Sequence, residues 1–159
     1  MSQSILHLMC GKIASGKSTL SKRLADEHDA VLLSEDPWLA ALYPDEIKSV
    51  ADYVRGARRI RGVLGPLVVG LLSKGLSVVL DFPANTVADR QWLRSLADQA
   101  GVEHCLHFID LDDTTCKARL HARNARGEHD FAATDAEFEL ITSYFNTPVE
   151  AEGLTITRY

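Results

Sequence analysis

An eight-residue segment with the pattern G-x-x-x-x-G-K-S, from Gly11 to Ser18, constrains this chain more than any other feature. A short apolar run, 5–10, precedes it, and a helical pattern that includes Leu20 and Leu24 follows it. The two glycines let backbone N–H groups converge on an anion without Cβ clashes, and the helix N-terminus adds unpaired N–H groups and a positive dipole end. The segment therefore predicts a strand–loop–helix unit that binds the phosphates of a nucleotide.

Single positions in this phosphate-binding loop have distinct predicted roles. Lys17 has the reach to contact the β- and γ-phosphates, and the hydroxyl of Ser18 is a ligand for Mg²⁺. The pattern indicates a nucleoside triphosphate but identifies neither the base nor the reaction. No Asn-Lys-x-Asp motif is present, which disfavours a GTPase switch. The predicted nucleotide contacts in the loop are Gly11, Ala14, Ser15, Gly16, Lys17, Ser18 and Thr19.

Apolar runs and helical patterns alternate along the rest of the chain. Because the apolar runs are continuous, they predict strands buried on both faces, as in a mainly parallel sheet. The expected fold is a three-layer α/β/α domain, 1–159, with five strands. Gly65-Pro66 predicts a break or kink in the long middle helix. The predicted strands are 5–10, 30–33, 77–81, 105–109 and 154–157, and the predicted helices are 18–28, 45–74, 86–101, 113–126 and one that begins at 134.

Helix-capping residues support two of these helices. Thr86 and Asp89 have the spacing of a capping box, and Gly101 is a suitable stop for the same helix. Thr134 and Glu137 predict a second cap of this kind.

Composition excludes several classes of protein. A length of 159 residues suits one domain, and three cysteines without a C-x-x-C motif argue for a reducing, cytoplasmic location. No apolar stretch reaches the ~20 residues that a bilayer span needs, so no membrane partner is expected. The net charge of −5 argues against non-specific binding of nucleic acid. A monomer and a homodimer are both compatible with the sequence.

Two aspartates follow predicted strands. Val78-Val79-Leu80-Asp81 places Asp81 at a strand's carboxyl end, where it is expected to help hold Mg²⁺ together with Ser18. Asp36 follows the second strand, and its carboxylate is a candidate general base for an attacking hydroxyl.

The surroundings of Asp36 leave alternatives open. Pro37 biases Asp36 toward an extended conformation in a loop, although Asp-Pro is also a good helix start. Glu35 is a competing carboxylate. Alternation along a strand predicts that the two side chains point in opposite directions, so only one of them can serve.

Arginines form two clusters. Arg119, Arg123 and Arg126 have i, i+4, i+7 spacing and so share a helix face. They lead into a loop-like segment, and together these predict a lid, about 119–134, that closes over phosphates. A second cluster on the middle helix either lines an acceptor pocket or faces water; its members are Arg55, Arg58, Arg59 and Arg61.

With these residues placed, the chain resembles the small P-loop kinases of the nucleoside- and nucleotide-kinase-like group. The closer resemblance is to the branch of zeta-toxin kinases, chloramphenicol phosphotransferase and polynucleotide kinases, and it covers essentially the whole chain in order. It includes Asp81-Phe82-Pro83-Ala84-Asn85, a helix that carries Arg90, and Phe108-Ile109-Asp110-Leu111 before the lid helix.

The resemblance implies specific roles and ligands. Asp36 is implied as the general base, Arg123 and Arg126 as contacts to the phosphates, and Arg119 as a neighbour of the adenine or the α-phosphate. The resulting hypothesis is an ATP- and Mg²⁺-dependent kinase that phosphorylates a hydroxyl of a small molecule. The alternatives are a polynucleotide 5′-hydroxyl kinase and a non-catalytic nucleotide-binding regulatory module.

Overall fold

In the residues that the structure describes, 3–127 and 129–159, five parallel strands form one sheet. The structure is a computed structural model. The strand order β2-β3-β1-β4-β5 puts β1 in the centre, and the register places Leu8 of β1 between Leu80 of β3 and Leu106 of β4. The strands are β1 Ile5–Cys10, β2 Val31–Ser34, β3 Val78–Pro83, β4 Glu103–Phe108 and β5 Ile156–Arg158.

Six α-helices in these described ranges complete the predicted three-layer α/β/α fold. They are α1 Lys17–Glu27, α2 Glu35–Leu42, α3 Val50–Ser73, α4 Val87–Ala100, α5 Asp113–Arg126 and α6 Asp135–Ser143, and a 3₁₀ turn spans Glu150–Glu152. None of the described helices is both long enough and apolar enough to cross a bilayer.

Alternation along the strands divides the core between the two faces of the sheet. Met9 and Val79 point to one face, where they pack against Leu20 and Leu24 of α1. The opposite face forms the larger cluster against α3 and α4, and its members include Leu6, Leu8, Leu80, Leu64, Val68, Leu93 and Leu96. A third, smaller cluster joins α5 and α6 to the phosphate-binding loop through Cys116, Leu120, Phe138, Ile13 and Ala14.

The predicted cap residues Thr86, Gly101 and Thr134 are confirmed, but the box predicted at Thr86 is only half formed among the described residues, where the Asp89 carboxylate accepts from Arg61 instead. The Thr86 hydroxyl accepts a hydrogen bond from the Asp89 N–H at 3.0 Å, and Gly101 ends α4 with φ 69°. Thr134 and Glu137 form a reciprocal capping box at the start of α6.

Of the break or kink predicted at Gly65-Pro66, the break is wrong, because α3 continues as one helix through Pro66. The helix begins at Val50 rather than at 45, after a turn. Ile60, Leu64, Val68 and Leu72 have i, i+4 spacing on both sides of the proline, and all are buried in the same core cluster. Their common burial stabilises one continuous helix despite the missing N–H of Pro66.

A buried ion pair fastens the C-terminal segment to α4. Arg90 is fully buried; its Nε donates to Glu152 Oε1 at 2.7 Å and its Nη2 donates to Oε2 at 3.2 Å. Its Nη1 also donates to the Ala84 carbonyl at 3.0 Å. Arg90 therefore ties the turn after β3 to the segment that leads into β5.

Glu152→Ala should lower the free energy of unfolding by about 3 kcal/mol, since it leaves the Arg90 charge buried without its partner. Glu150→Ala in the same 3₁₀ turn is the matched control, because Glu150 is exposed and should change stability by less than about 0.5 kcal/mol. Urea denaturation of both variants measures the difference. Equal effects would show that the pair contributes no more than an exposed glutamate.

Candidate functional site

A cleft of about 790 Å³ lies beyond the carboxyl ends of β1 and β3. This is the edge of a parallel sheet at which α/β proteins usually bind ligands. Gly11 and Ser15 are buried in the loop that forms the cleft's floor. The structure brings the other predicted site residues together as lining residues of this cleft: Ala14, Gly16, Lys17, Ser18, Thr19, Asp36, Asp81, Arg119, Arg123 and Arg126.

The phosphate-binding loop is anchored by Asn85, which follows β3. The Asn85 side chain accepts from the Gly11 N–H at 3.0 Å and donates to the Gly11 carbonyl at 2.8 Å. A Cβ at Gly11 would lie 2.4 Å from Ser15 Oγ, so the close turn needs glycine at this position. These contacts hold the start of the loop against its neighbouring strand.

The N-terminus of α1 points its backbone toward the cleft. Gly16, the N-cap of α1, has φ 104°, which favours glycine, and it has no side chain with which to cap the first turn of the helix. The Ser15 hydroxyl is buried without a hydrogen-bond partner among the described residues. Unpaired donors at a helix N-terminus form an anion site, which fits a nucleotide phosphate.

Lys17 lies at the base of the loop. Its Nζ donates to the Gly11 carbonyl at 2.5 Å and to the Lys12 carbonyl at 2.9 Å. Burial lowers the pKa of Lys17, and the negative charge of Asp81 opposes this shift. The ammonium is thus positioned by backbone oxygens beside the anion site.

Ser18 and Asp81 face each other across the loop. Ser18 Oγ donates to Asp81 Oδ2 at 2.9 Å, and burial raises the pKa of Asp81 against the opposing influence of that hydrogen bond and of Lys17. A hydroxyl and a carboxylate next to a phosphate site form the hard oxygen set that Mg²⁺ prefers. The residues present therefore fit a magnesium ion.

Asp36 is not in an extended loop, contrary to the prediction from Pro37. The helix α2 begins at Glu35, directly after β2, so Asp36 and Pro37 both lie in its first turn. Proline is tolerated there because the first N–H groups of a helix have no intrahelical partner. The burial of Leu39 on α2, together with the packing of Trp38 against the same core cluster, outweighs the local bias of the pre-proline residue.

The prediction that Glu35 and Asp36 point in opposite directions is also wrong, because both contact one hydroxyl. Tyr53 Oη of α3 lies 2.8 Å from Glu35 Oε1 and 2.8 Å from Asp36 Oδ1. Glu35 is buried, whereas the Asp36 side chain is 31% exposed and lines the cleft. The geometry leaves Asp36 as the carboxylate that can meet a ligand.

Burial raises the pKa of Glu35 to about 7, although Arg61 and the Tyr53 hydrogen bond oppose the shift. Because the native state then binds its proton more tightly than the unfolded chain does, stability falls as the pH rises from about 4.5 to about 7. Glu35→Gln should raise the free energy of unfolding by on the order of 2 kcal/mol at about pH 8 and by little at about pH 4.5.

Urea denaturation at the two pH values tests this prediction. Glu46→Gln is the control, since Glu46 is exposed in the turn after α2. The same stability change at both pH values would contradict a raised pKa at Glu35.

The arginines of α5 also line the cleft. Arg119 Nη1 donates to the Ser15 carbonyl at 3.4 Å, and Arg123 Nε is buried without a hydrogen-bond partner in the described ranges. Burial lowers the pKa of Arg123, while the Asp36 charge raises it. His129 Nε2 lies 3.6 Å from Asp36 Oδ2, so the segment after α5 reaches the α2 side of the cleft. Glu128, within the predicted lid, is outside the described residues.

The arginine cluster of α3 does not form one acceptor surface. Arg55 pairs with Asp52, whereas Arg61 turns inward and donates to Asp89 Oδ1 at 2.7 Å. Arg58 and Arg61 border a separate groove between α3 and α4, near Trp92. No member of the cluster is among the described lining residues of the main cleft.

Sequence reasoning missed two residues of the site. Asn85 could have been suspected as a polar residue just beyond a strand's carboxyl end, the same signal that indicates Asp81. Tyr53 has no such signal, because one tyrosine on an amphipathic helix is indistinguishable from a core residue.

Comparison with known proteins agrees with this geometry. The AAA_33 family model, described as an AAA domain, matches residues 6–148. The Arabidopsis thaliana protein KTI12 homolog is 27% identical over 149 residues, which cover 90% of this chain and 47% of that protein. The chain thus spans about half the length of this curated relative.

Solved structures with nucleotide-kinase-like folds superpose on the chain. A candidate kinase from Chloroflexus aurantiacus has a TM-score of 0.75 at 22% sequence identity. The match covers 100% of this chain and 86% of the kinase chain. Chaetomium thermophilum Kti12 in complex with ADP-AlF₃ has a TM-score of 0.71 at 16% sequence identity, and the match covers 97% of this chain and 89% of the Kti12 chain. The Mycobacterium tuberculosis APS kinase CysC in complex with AMPPNP and APS has a TM-score of 0.61 at 24% sequence identity. The match covers 93% of this chain and 85% of the CysC chain. The chain shares their nucleotide-binding P-loop kinase-like fold.

Proposed function

The chain belongs to the AAA_33 family of AAA domains, and within that family we propose that it is an ATP-dependent phosphotransferase. Its acceptor is a hydroxyl group of a small molecule. The observation that supports this most strongly is the position of Asp36. This partly exposed carboxylate lines the same cleft as Lys17 and the N-terminus of α1, where a general base for an attacking hydroxyl is needed.

Phosphoryl transfer needs two things from the cleft: a base for the acceptor hydroxyl and donors that hold the phosphates. The acceptor oxygen forms a bond to Pγ, the bond from Pγ to the β,γ-bridging oxygen breaks, and its electron pair leaves with ADP. Asp36 takes the proton of the acceptor hydroxyl. The N–H groups of Gly16 and the first turn of α1, together with Lys17, hold the phosphates whose charge changes during transfer.

The arginines of α5 help to stabilise the same charge. Arg123 and Arg126 line the cleft, and Arg119 lies next to Ser15 of the loop. A guanidinium binds phosphate oxygens in a bidentate manner, so these side chains suit the β- and γ-phosphates and, for Arg119, the α-phosphate or the adenine. Closure of the 119–134 lid over bound ATP would exclude water from the reacting centre.

Ser18 and Asp81 are the residues that would hold Mg²⁺. When bound, the ion neutralises phosphate charge and orients the oxygens of the triphosphate. Chelation with EDTA should therefore stop turnover, and added Mg²⁺ should restore it.

A direct assay tests the proposal. The protein is incubated with ATP labelled at the γ-phosphate and with a panel of antibiotics, sugars, nucleosides and short 5′-hydroxyl oligonucleotides. We expect label to move to one small-molecule class at a rate that exceeds ATP hydrolysis. Tight ATP binding without transfer to any member of the panel would contradict a phosphotransferase.

A nucleotide-binding regulatory module is the second candidate. The match to a KTI12 homolog is the observation behind it, since this chain covers only 47% of that relative and a phosphotransferase activity does not follow from the match. Such a module would bind ATP tightly and show hydrolysis that does not respond to any acceptor. It would also retain ATP turnover when Asp36 is replaced.

Some narrower predictions stay predictions. They are the resemblance to the zeta-toxin and polynucleotide kinase branch, a cytoplasmic location, and a monomeric or homodimeric state. A polynucleotide acceptor is less well supported than a small molecule, because the arginine cluster of α3 is divided between ion pairs and a separate groove. Salt-dependent binding of a labelled oligonucleotide would argue for it.

A further inference from the structure

Three oxygen atoms form a short chain from the cleft into the core. Asp36 Oδ1, Tyr53 Oη and Glu35 Oε1 are connected by two contacts of 2.8 Å each. A tyrosine hydroxyl has one proton, so it can donate to only one of two ionised carboxylates. Both contacts are hydrogen bonds only when a carboxyl group contributes a second proton. With both carboxylates ionised, only one of the two contacts is a hydrogen bond, and a proton that arrives on either carboxyl group completes the chain.

The surroundings of Glu35 allow it to hold or release that second proton. Arg61 Nε of α3 lies 3.7 Å from Glu35 Oε2, and neither atom has a hydrogen-bond partner among the described residues. Asp89 of α4 takes part of the Arg61 charge through a 2.7 Å contact. The charged and titratable groups that face Glu35 are thus Arg61, Tyr53, Asp36 and Asp89.

These opposing influences keep both forms of Glu35 accessible near neutral pH. Burial raises its pKa to about 7, and Asp36 and Asp89 act in the same direction, while Arg61 and the Tyr53 hydroxyl act against them. Burial also raises the pKa of Tyr53 well above its usual value, so Tyr53 stays a hydroxyl.

We propose that Glu35 is the final proton acceptor of a relay in which Asp36 takes the proton of the acceptor hydroxyl and Tyr53 transmits it inward. The proposal rests on the proposed function, since it needs phosphoryl transfer to a hydroxyl. Asp36 is the catalytic residue in contact with the acceptor, and Glu35 is a positioning residue that acts through Tyr53.

Each proton that leaves one group in the relay is taken up by the next. At the start Glu35 and Asp36 are ionised and the Tyr53 hydroxyl donates to Glu35. As the acceptor oxygen bonds to Pγ and the leaving oxygen departs with ADP, the acceptor proton moves to Asp36. Asp36 passes a proton to Tyr53 Oη while Tyr53 gives its own to Glu35. Asp36 is again ionised, and Glu35 later returns the proton to solvent.

The relay operates only when Glu35 is ionised at the start. We therefore expect kcat of the wild-type protein to fall as the pH decreases through about 7. Glu35→Gln and Tyr53→Phe should each lower kcat about tenfold at pH 8 and should remove that decline. The double variant should be no slower than either single variant, since both substitutions interrupt one path. Tyr43→Phe is the control, because Tyr43 packs against the same core cluster.

A second measurement needs no acceptor. Titration of ¹³C-labelled glutamate carboxyls by NMR should show one with a midpoint near pH 7 that is absent in Glu35→Gln. Tyr53→Phe should move this midpoint upward, because the hydroxyl favours the ionised form of Glu35. A midpoint that Tyr53→Phe leaves unchanged would overturn the relay.

The outcomes separate the relay from the proposed function. Transfer with an unchanged pH profile in Glu35→Gln, or losses that add in the double variant, would overturn the relay and leave the phosphotransferase in place. A wild-type protein that transfers phosphate to no hydroxyl, water included, would overturn both. Urea denaturation establishes that each variant is folded before its rate is interpreted.

Discussion

Lys17→Ala should abolish detectable phosphoryl transfer and weaken ATP binding. The Lys17 ammonium is held at the floor of the cleft by the Gly11 and Lys12 carbonyls, and the neighbouring Asp81 carboxylate would lose its counter-charge. Removal of one buried, preorganised donor to a developing negative charge typically costs a factor of about 10³ in rate. We expect a loss of at least about this size in kcat/KM.

Isothermal titration calorimetry and the transfer assay measure the two parts of this prediction. Lys22→Ala is the matched control, since Lys22 is exposed on the same helix. It removes the same charge and the same side-chain length at a position away from the cleft. An unchanged ATP affinity in Lys17→Ala would argue against phosphate binding by this loop.

Asp36→Asn should lower phosphoryl transfer by a factor of about 10² to 10⁴ and leave ATP affinity nearly unchanged. Asparagine preserves the size of the side chain and can still accept a hydrogen bond from Tyr53, but it cannot take a proton from the acceptor. The N–H groups of α1, Lys17 and the arginines of α5 are not altered. The effect should therefore appear in kcat and not in the dissociation constant of ATP.

Transfer rates and ATP titrations on the same preparation test this separation. Asp45→Asn is the control: Asp45 lies in the exposed turn after α2 with φ 61°, a conformation that asparagine also adopts. Full transfer activity in Asp36→Asn would exclude Asp36 as the base and would leave the phosphotransferase without an assigned one. A parallel loss of ATP affinity would mean that Asp36 acts in nucleotide binding.

Local signals predicted much of the fold and many of the residues that line the cleft. The pattern from Gly11 to Ser18, the strand end at Asp81 and the arginines of α5 are each defined by residues close together in the chain. The caps at Thr86 and Thr134 are local as well, because a cap is a hydrogen bond over three residues. For such features the spacing of the residues in the sequence is enough to predict how they are arranged.

The predictions that failed concern residues whose conformation depends on distant partners. Pro37 favours an extended Asp36, and Pro66 favours a broken α3, but in both places burial of apolar side chains on the same helix is worth more than the local bias. These preferences amount to a few kcal/mol at most, and a few buried aliphatic side chains exceed them.

The sequence by itself determined that the chain would have a phosphate-binding loop in a parallel α/β sheet, since those features need only short-range spacing and hydrophobic pattern. Only the tertiary structure decided which carboxylate faces the cleft. Glu35 and Asp36 are neighbours in the chain, and Tyr53, which bridges them, comes from another helix. Asn85 likewise contacts Gly11, a residue 74 positions away in the sequence. Contacts of this kind exist only after the helices and strands have packed, because packing alone fixes the distances between residues far apart in sequence.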